Sequence, residues 1–225
     1  MAKFHLRLVK FCFVFMILNV FVLSGCAVTF HAGKPSDSRR IQDLEKLTQA
    51  REQEISELNQ TKALLEDRLR KEIGEKQVRL EMAERGLVIT FVAEVLFDSG
   101  KAKIRPEAYG SLDKIAKVLK ENVSDRNISI EGHTDNEPIK YSGWKSNWEL
   151  STARSTSVLH YLVDEKSIAP QRVSAVGHGE FKSVASNDSA EGKQKNRRVE
   201  IIIVPKMSLK PSKQTAAQEY DRYVK

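Results

Sequence analysis

The chain has 225 residues, 37 of them basic and 30 acidic, for a formal net charge of +7. That length admits one or two domains. The basic excess is mild and spread along the chain, with no basic stripe interleaved with aromatics, which argues against nucleic-acid binding and suits contact with an anionic polymer. Its two cysteines, Cys12 and Cys26, both lie near the N-terminus and exclude a metal site of the cysteine type in the body of the chain.

In chain order, Lys3, Arg7 and Lys10 come first, followed by the apolar run "FCFVFMILNVFVL" (11–23) and then "SGC". A basic segment, a short apolar segment and small residues have the layout of a secretory signal. "LSGC", Leu23 to Cys26, resembles the bacterial lipobox, in which the cysteine becomes the lipid-modified first residue of the mature chain. Residues 1–25 are therefore expected to be a lipoprotein signal peptide, with Cys26 the lipidation site. In lipoproteins of this kind Ala27, rather than Asp, implies release to the outer membrane. The alternative is an uncleaved transmembrane helix in the inner membrane. No residue from Phe11 to Phe30 is charged, and about 20 residues span a bilayer. Either way the rest of the chain lies outside the cytoplasm, because the positive end stays inside.

Residues 26–37 read as a tether. Residues 38–85 lack proline and are rich in Glu, Lys, Arg, Gln and Leu. A heptad frame places Ile41, Leu44, Thr48, Arg51, Ile55, Leu58, Lys62, Leu65, Leu69 and Glu72 at a and d. The pattern predicts a helical spacer over 38–85. It permits two readings, a weak coiled coil that makes a homodimer, or a single helix lying on its own domain.

From residue 86 the pattern becomes alternating strands and helices. "LVITFV" (87–92) is a strand. Pro106 opens a helix with Ala108, Leu112, Ile115, Ala116 and Leu119 on one face, ending near Asn122. "NISIEG" (127–132) is a strand, 147–165 a helix, "RVSAVGHG" (172–179) a strand, and "NDSAEGKQKN" (187–196) a loop with a helical turn. "RRVEIIIV" (197–204) is the last strand. The order βαβαββ gives an α+β fold, one sheet with helices on one face, over 86–204. Residues 205–225 read as a loose tail.

At 100° per residue, Asn147, Ser151 and Arg154 point nearly the same way as the apolar Val158. Polar groups at the start of a core-facing stripe suggest a pocket at the helix N-terminus, which also attracts anions. Asp135 follows a strand end in a loop that must pass near this helix. Asp135 and Arg154 can pair with each other, or they can hold a zwitterion between them, the carboxylate taking an ammonium and the guanidinium fork a carboxylate.

"IEGHTD", "SNWELSTAR", "AVGHGE" and "KNRRVEI", in this order and spacing, resemble the OmpA-like peptidoglycan-binding domain. It occurs in outer-membrane protein A, in the peptidoglycan-associated lipoprotein and in the flagellar stator protein MotB. The resemblance covers residues 87–204 and is strongest to the MotB-like branch. It implies a βαβαββ sandwich that binds the peptide stem of peptidoglycan chiefly through diaminopimelate. It also implies that Asp135 and Arg154 are the clamp, helped by Asn147 and by Arg197 or Arg198. Ser151, on the same helical stripe, and Thr134, beside Asp135, are expected at the same site. At the position of Gly100 some members offer a side-chain contact, so any contact there is expected from the backbone or from Asp98. Stator proteins carry a membrane-embedded proton-carrying aspartate, whereas residues 1–36 here contain no acid.

Other chemistries fit less well. The spacing of His133, Asp135, His178 and Glu180 matches no recognised metal-ligand pattern, so neither metal nor cofactor is expected, and His133 is expected to orient its loop by hydrogen bonds. Ser151, His133 and Asp135 do not make a hydrolase, since no nucleophile elbow is present. Trp144 and Trp148 flank the loop–helix junction, either as packing that pins the loop or as a cover for the ligand.

Overall fold

The computed structural model describes residues 35–206. The expected signal peptide over 1–25, the expected lipidation site Cys26 and the expected tail beyond residue 206 lie outside these. The chain divides into two units, Met1–Lys46 and Leu47–Lys225. Of the first, the described part is the opening of helix α1 (Pro35–Arg68), exposed from residue 38 onward.

In the second unit, the later turns of α1 and a short helix α2 (Arg70–Gly74) lead into a sheet. Leu58, Leu65 and Leu69 of the predicted heptad are fully buried there, each stabilising by about 1.5–3 kcal/mol. Arg126, 2 % exposed, donates to Glu54 at 2.6 Å and Glu57 at 2.8 Å, fastening α1 laterally. This half of the helix therefore lies on its own domain.

The expectation of helix throughout 38–85 is corrected beyond Gly74. Val78–Ala83 is strand β1, and it pairs antiparallel with β2 (Gly86–Val92) from Val78↔Phe91 to Ala83↔Gly86. Val78, Leu80 and Met82 alternate with Arg79 and Glu81, the period of a strand with one wet face. Charged side chains on that wet face gave the segment the composition of the preceding helix.

The remaining elements follow the predicted order. Helix α3 (Ala93–Leu96) turns the chain out of β2, and a 3-10 turn (Pro106–Ala108) starts α4 (Tyr109–Glu121). Next come β3 (Ile128–His133), α5 (Asn147–His160) with a wider π turn at Tyr161–Glu165, β4 (Val173–Gly177), α6 (Ala190–Asn196) and β5 (Arg198–Ile203). The sheet order is β1-β2-β5-β3-β4, with β3 and β4 parallel and the other pairs antiparallel.

One face of the sheet carries Leu87, Ile89, Phe91, Ile128, Ile130, Val199, Ile201 and Ile203, all buried. Against them pack Leu112, Ile115 and Leu119 of α4 and Val158 of α5. Helix α5 sits very close to the strands, and glycine makes this possible. A Cβ on Gly132 would lie 2.1 Å from the Ser151 carbonyl oxygen, and one on Gly177 would lie 2.1 Å from Thr152 Oγ1. The two glycines thus bring the start of α5 down onto the ends of β3 and β4.

Candidate ligand-binding site

The start of α5 is fixed by local chemistry. Ser146 is the N-cap and accepts from the Glu149 amide, while the Glu149 carboxylate accepts from the Lys145 amide at 2.8 Å. This is close to a capping box. It sets the rotation of α5 so that Asn147, Leu150 and Arg154 face a pocket of about 460 Å³. That volume suits a small polar group or side-chain terminus. The other walls are Ala93, Glu94 and Phe97 after β2, Thr134 and Asp135 after β3, the loop 137–142, and Arg197 before β5.

Asp135 and Arg154 share the pocket, as expected, and they do not pair. Asp135 Oδ2 accepts from Arg197 Nη1 at 2.6 Å, and its Oδ1 accepts from the Glu137 amide at 3.1 Å. Arg197 Nε donates in turn to Glu94 Oε1 at 2.6 Å. Arg154 donates through Nε to the Lys101 carbonyl at 3.0 Å and lies 5.3 Å from the Phe97 ring centroid. It forms no ion pair among the described residues, so the two terminal nitrogens of its fork remain for a ligand. Burial pulls its pKa down to about 10, which leaves it charged at neutral pH. Glu94, Asp135 and Glu137 put carboxylates on the pocket wall and Lys101, Lys140, Arg154 and Arg197 put cations there, so the pocket offers partners of both signs to a ligand that carries both.

The remaining predicted residues divide. Asn147 lines the pocket, but its amide nitrogen is committed to the Glu137 carbonyl at 3.1 Å and Glu180 Oε2 at 2.8 Å, which clasps the loop. Thr134 lines the pocket with a buried hydroxyl that has no protein partner. Trp144 pins the loop, as its indole donates to the Gly100 carbonyl at 2.8 Å. Trp148 stacks on Phe181 at 5.1 Å between centroids, outside the pocket.

Four expectations are corrected. Ser151 is fully buried between α5 and the strands, where its hydroxyl donates to the Trp148 carbonyl and accepts from the Gly179 amide. Its 100° step from Asn147 is right for the stripe, but the close approach at Gly132 and Gly177 turns it into the sheet. Arg198 points to the opposite face, because neighbouring residues on a strand alternate. It is 4 % exposed and donates to Glu200 at 2.7 Å and to the Lys182 carbonyl at 3.1 Å. Between the two arginines, Arg197 is the pocket residue. Asp98 faces Arg105 at 3.8 Å and does not line the pocket. Nor does His133 hydrogen-bond its loop, since neither ring nitrogen has a partner.

Glu94 was missed by sequence reasoning. Its only signal was position, two residues past β2 in a sheet whose other strand ends already supplied Asp135 and Arg197.

Comparison with known proteins bears on the family and the fold. Residues 96–197 match the OmpA family. Motility protein B of Bacillus subtilis is 43% identical over 150 residues, covering 67% of this chain and 57% of that protein. Outer membrane protein A of Bordetella avium is 36% identical over 57% of this chain and 63% of that protein. The chain spans about half the length of several of its relatives. Among solved structures, the cell wall anchor of the T6SS from Pseudomonas aeruginosa is 35% identical, with a TM-score of 0.57 over 63% of this chain and 97% of that one. A MotB-like protein from Desulfovibrio vulgaris is 28% identical, with a TM-score of 0.63 over 69% of this chain and 96% of that one. These relatives are binding and structural proteins rather than enzymes. On sequence motifs, sheet topology and these matches together, the chain carries an OmpA-family domain of the MotB-like kind.

Proposed function

We propose that this domain binds peptidoglycan non-covalently by holding the free end of diaminopimelate in the peptide stem. The observation that carries the reading is a buried carboxylate, Asp135, and a buried guanidinium, Arg154, without an ion partner among the described residues, on the walls of one pocket. The ligand ammonium takes Asp135 Oδ2 beside or in place of Arg197, which keeps Glu94. The ligand carboxylate takes the terminal nitrogens of Arg154. Thr134 Oγ1 supplies a further polar contact. The test is co-sedimentation with purified peptidoglycan. Asp135→Ala and Arg154→Ala should each lose binding, and full retention by both rejects the mechanism.

In the same reading the protein is a lipoprotein, anchored through Cys26 in the outer membrane, that tethers this membrane to the wall. The net positive charge and the lipobox-like "LSGC" support it. The second reading is an inner-membrane, MotB-like subunit with an uncleaved N-terminal helix, favoured by the 43% identity to Motility protein B. No described helix is long and apolar enough to cross a membrane, and both readings rest on the segment before residue 35. Mass spectrometry of the mature N-terminus separates them. A peptide starting at lipidated Cys26 supports the first, and an intact Met1–Phe30 segment supports the second. Pairing of two copies through residues 38–85 would use the exposed Ile41, Leu47 and Ile55, since Leu58, Leu65 and Leu69 are spent on the chain's own domain. Sedimentation velocity of a chain with these three changed to Ser tests it.

A further inference from the structure

The sheet face opposite the helices carries a second cluster of side chains, outside the pocket. Glu131 and His133 are two apart on β3 and so project from the same face. The parallel register Gly132↔Gly177 sets His178, just past β4, across from His133. The two imidazoles stack at 4.9 Å between centroids, and His178 Nε2 lies 3.1 Å from Glu131 Oε2. One ligand atom from each of Glu131, His133 and His178 lies within 4.8 Å of the other two. His133 is 2 % exposed, and neither of its ring nitrogens has a hydrogen-bond partner among the described residues. A buried polar group left in that state is costly and calls for an explanation.

We infer that Glu131, His133 and His178 form a binding site for a divalent transition cation of the zinc class. Two imidazoles and one carboxylate are a recognised three-ligand set for zinc, with nitrogen and oxygen donors at about 2.0–2.2 Å. Donors that far from one tetrahedral ion stand about 3.4 Å apart, so a pair separated by 4.8 Å must approach by about 1.4 Å, under about 1 Å for each side chain. Two of the three ligands are half-buried rather than sealed, which gives the ion an entry path. The wider surroundings make the site conditional. Arg85 donates to Glu131 at 2.8 Å and also contacts Glu200, 3.8 Å from His133 Nε2, and Arg198 holds the other oxygen of Glu200. The Arg85 guanidinium thus stands in the cation's place at the carboxylates, and the metal must displace it from Glu131. Arg85 side-chain exposure is 43 %, so it can swing into solvent. The sequence offered no reason to expect a metal here, since His133, Asp135, His178 and Glu180 match no ligand spacing; in the fold the carboxylate beside the two imidazoles is that of Glu131.

The experiment is titration of the full chain with zinc chloride by calorimetry, alongside thermal melts, for wild type, His178→Gln, Glu131→Gln and Arg85→Ala. His178 and Glu131 are near the surface, and circular dichroism checks that the variants are folded. The expected result is one zinc equivalent in wild type that raises the melting temperature. His178→Gln and Glu131→Gln should each weaken that equivalent at least tenfold and abolish the thermal shift. Arg85→Ala should strengthen it. Zinc bound at the N-terminal cysteines would be equal in all four proteins. The inference is overturned if wild type binds no zinc beyond what His178→Gln binds, or if Arg85→Ala binds less tightly than wild type.

Discussion

Arg197 Nη1 donates to Asp135 Oδ2 at 2.6 Å, while Arg154, across the same pocket, has no ionic partner among the described residues. The pocket is therefore asymmetric. Asp135 is held by a cation that a ligand must share, and Arg154 waits for an anion. The consequence is a ligand test of the clamp. Asp135→Ala should weaken peptidoglycan-stem binding by about 2–5 kcal/mol, and Arg154→Ala by a similar amount. Acetylating the ligand ammonium should weaken binding to wild type about as much as Asp135→Ala does, and the two changes should not add, because they remove the same contact. Calorimetry with native and acetylated stems measures this, and full additivity would place the ammonium elsewhere.

The Arg154 fork should not be replaceable by a point charge. Lysine keeps the charge and loses the planar pair of donors. Arg154→Lys should therefore lose at least about 1.4 kcal/mol, a tenfold change in affinity, while circular dichroism and melting remain close to wild type.

Gly132 sets the seat of α5. A Cβ there would lie 2.1 Å from the Ser151 carbonyl oxygen, a backbone atom that cannot swing away. Gly132→Ala should destabilise the fold by about 3 kcal/mol or more and reduce stem binding, because Asn147 and Arg154 move with the helix. Urea denaturation gives the first number. A loss below 1 kcal/mol would mean that α5 tolerates displacement.

Arg126 secures α1 to the domain. Arg126→Ala removes the cation from buried Glu54, a change worth about 3–5 kcal/mol for a buried pair. The expected result is faster hydrogen exchange and proteolysis within residues 50–70, with the sheet less affected. Uniform destabilisation of helix and sheet would show instead that the helix is inseparable from the core.

His133 predicts acid lability. Burial, reinforced by Arg198, pushes its pKa from 6.5 down to about 3. The folded state thus resists a proton that the unfolded state accepts below pH 6.5. Stability should be unaffected by this group above pH 6.5 and fall by about 1.4 kcal/mol per pH unit between 6.5 and 3. Glu200 is held below the ordinary carboxylate range; although its burial acts upward, Arg198 and Arg85 outweigh it. Its contribution is lost only below pH 4.5, so the window from 6.5 to 4.5 separates the two. Denaturation curves with chelator present, for wild type and His133→Asn, should differ in slope across that window.

The sequence by itself determined the α+β class, the order of the elements after residue 86, and the join of Asp135, Asn147 and Arg154 at one opening. Each of these rests on a local signal: alternation along β3 and β5, the 100° step of α5, and a glycine near the ends of β3 and β4. What lay beyond any local period was decided in three dimensions. The edge strand Val78–Ala83 looks like charged helix until it meets β2, because its polar face is wet and only its partner reveals the apolar one. Ser151 shares the helical step of Asn147, yet close packing at Gly132 and Gly177 carries it into the interior. Arg197 and Arg198 are indistinguishable as letters. The pleat of β5 sends one to Asp135, 62 residues away in the chain, and the other to Glu200, two residues further along the same face of β5, since consecutive strand residues face opposite sides of the sheet.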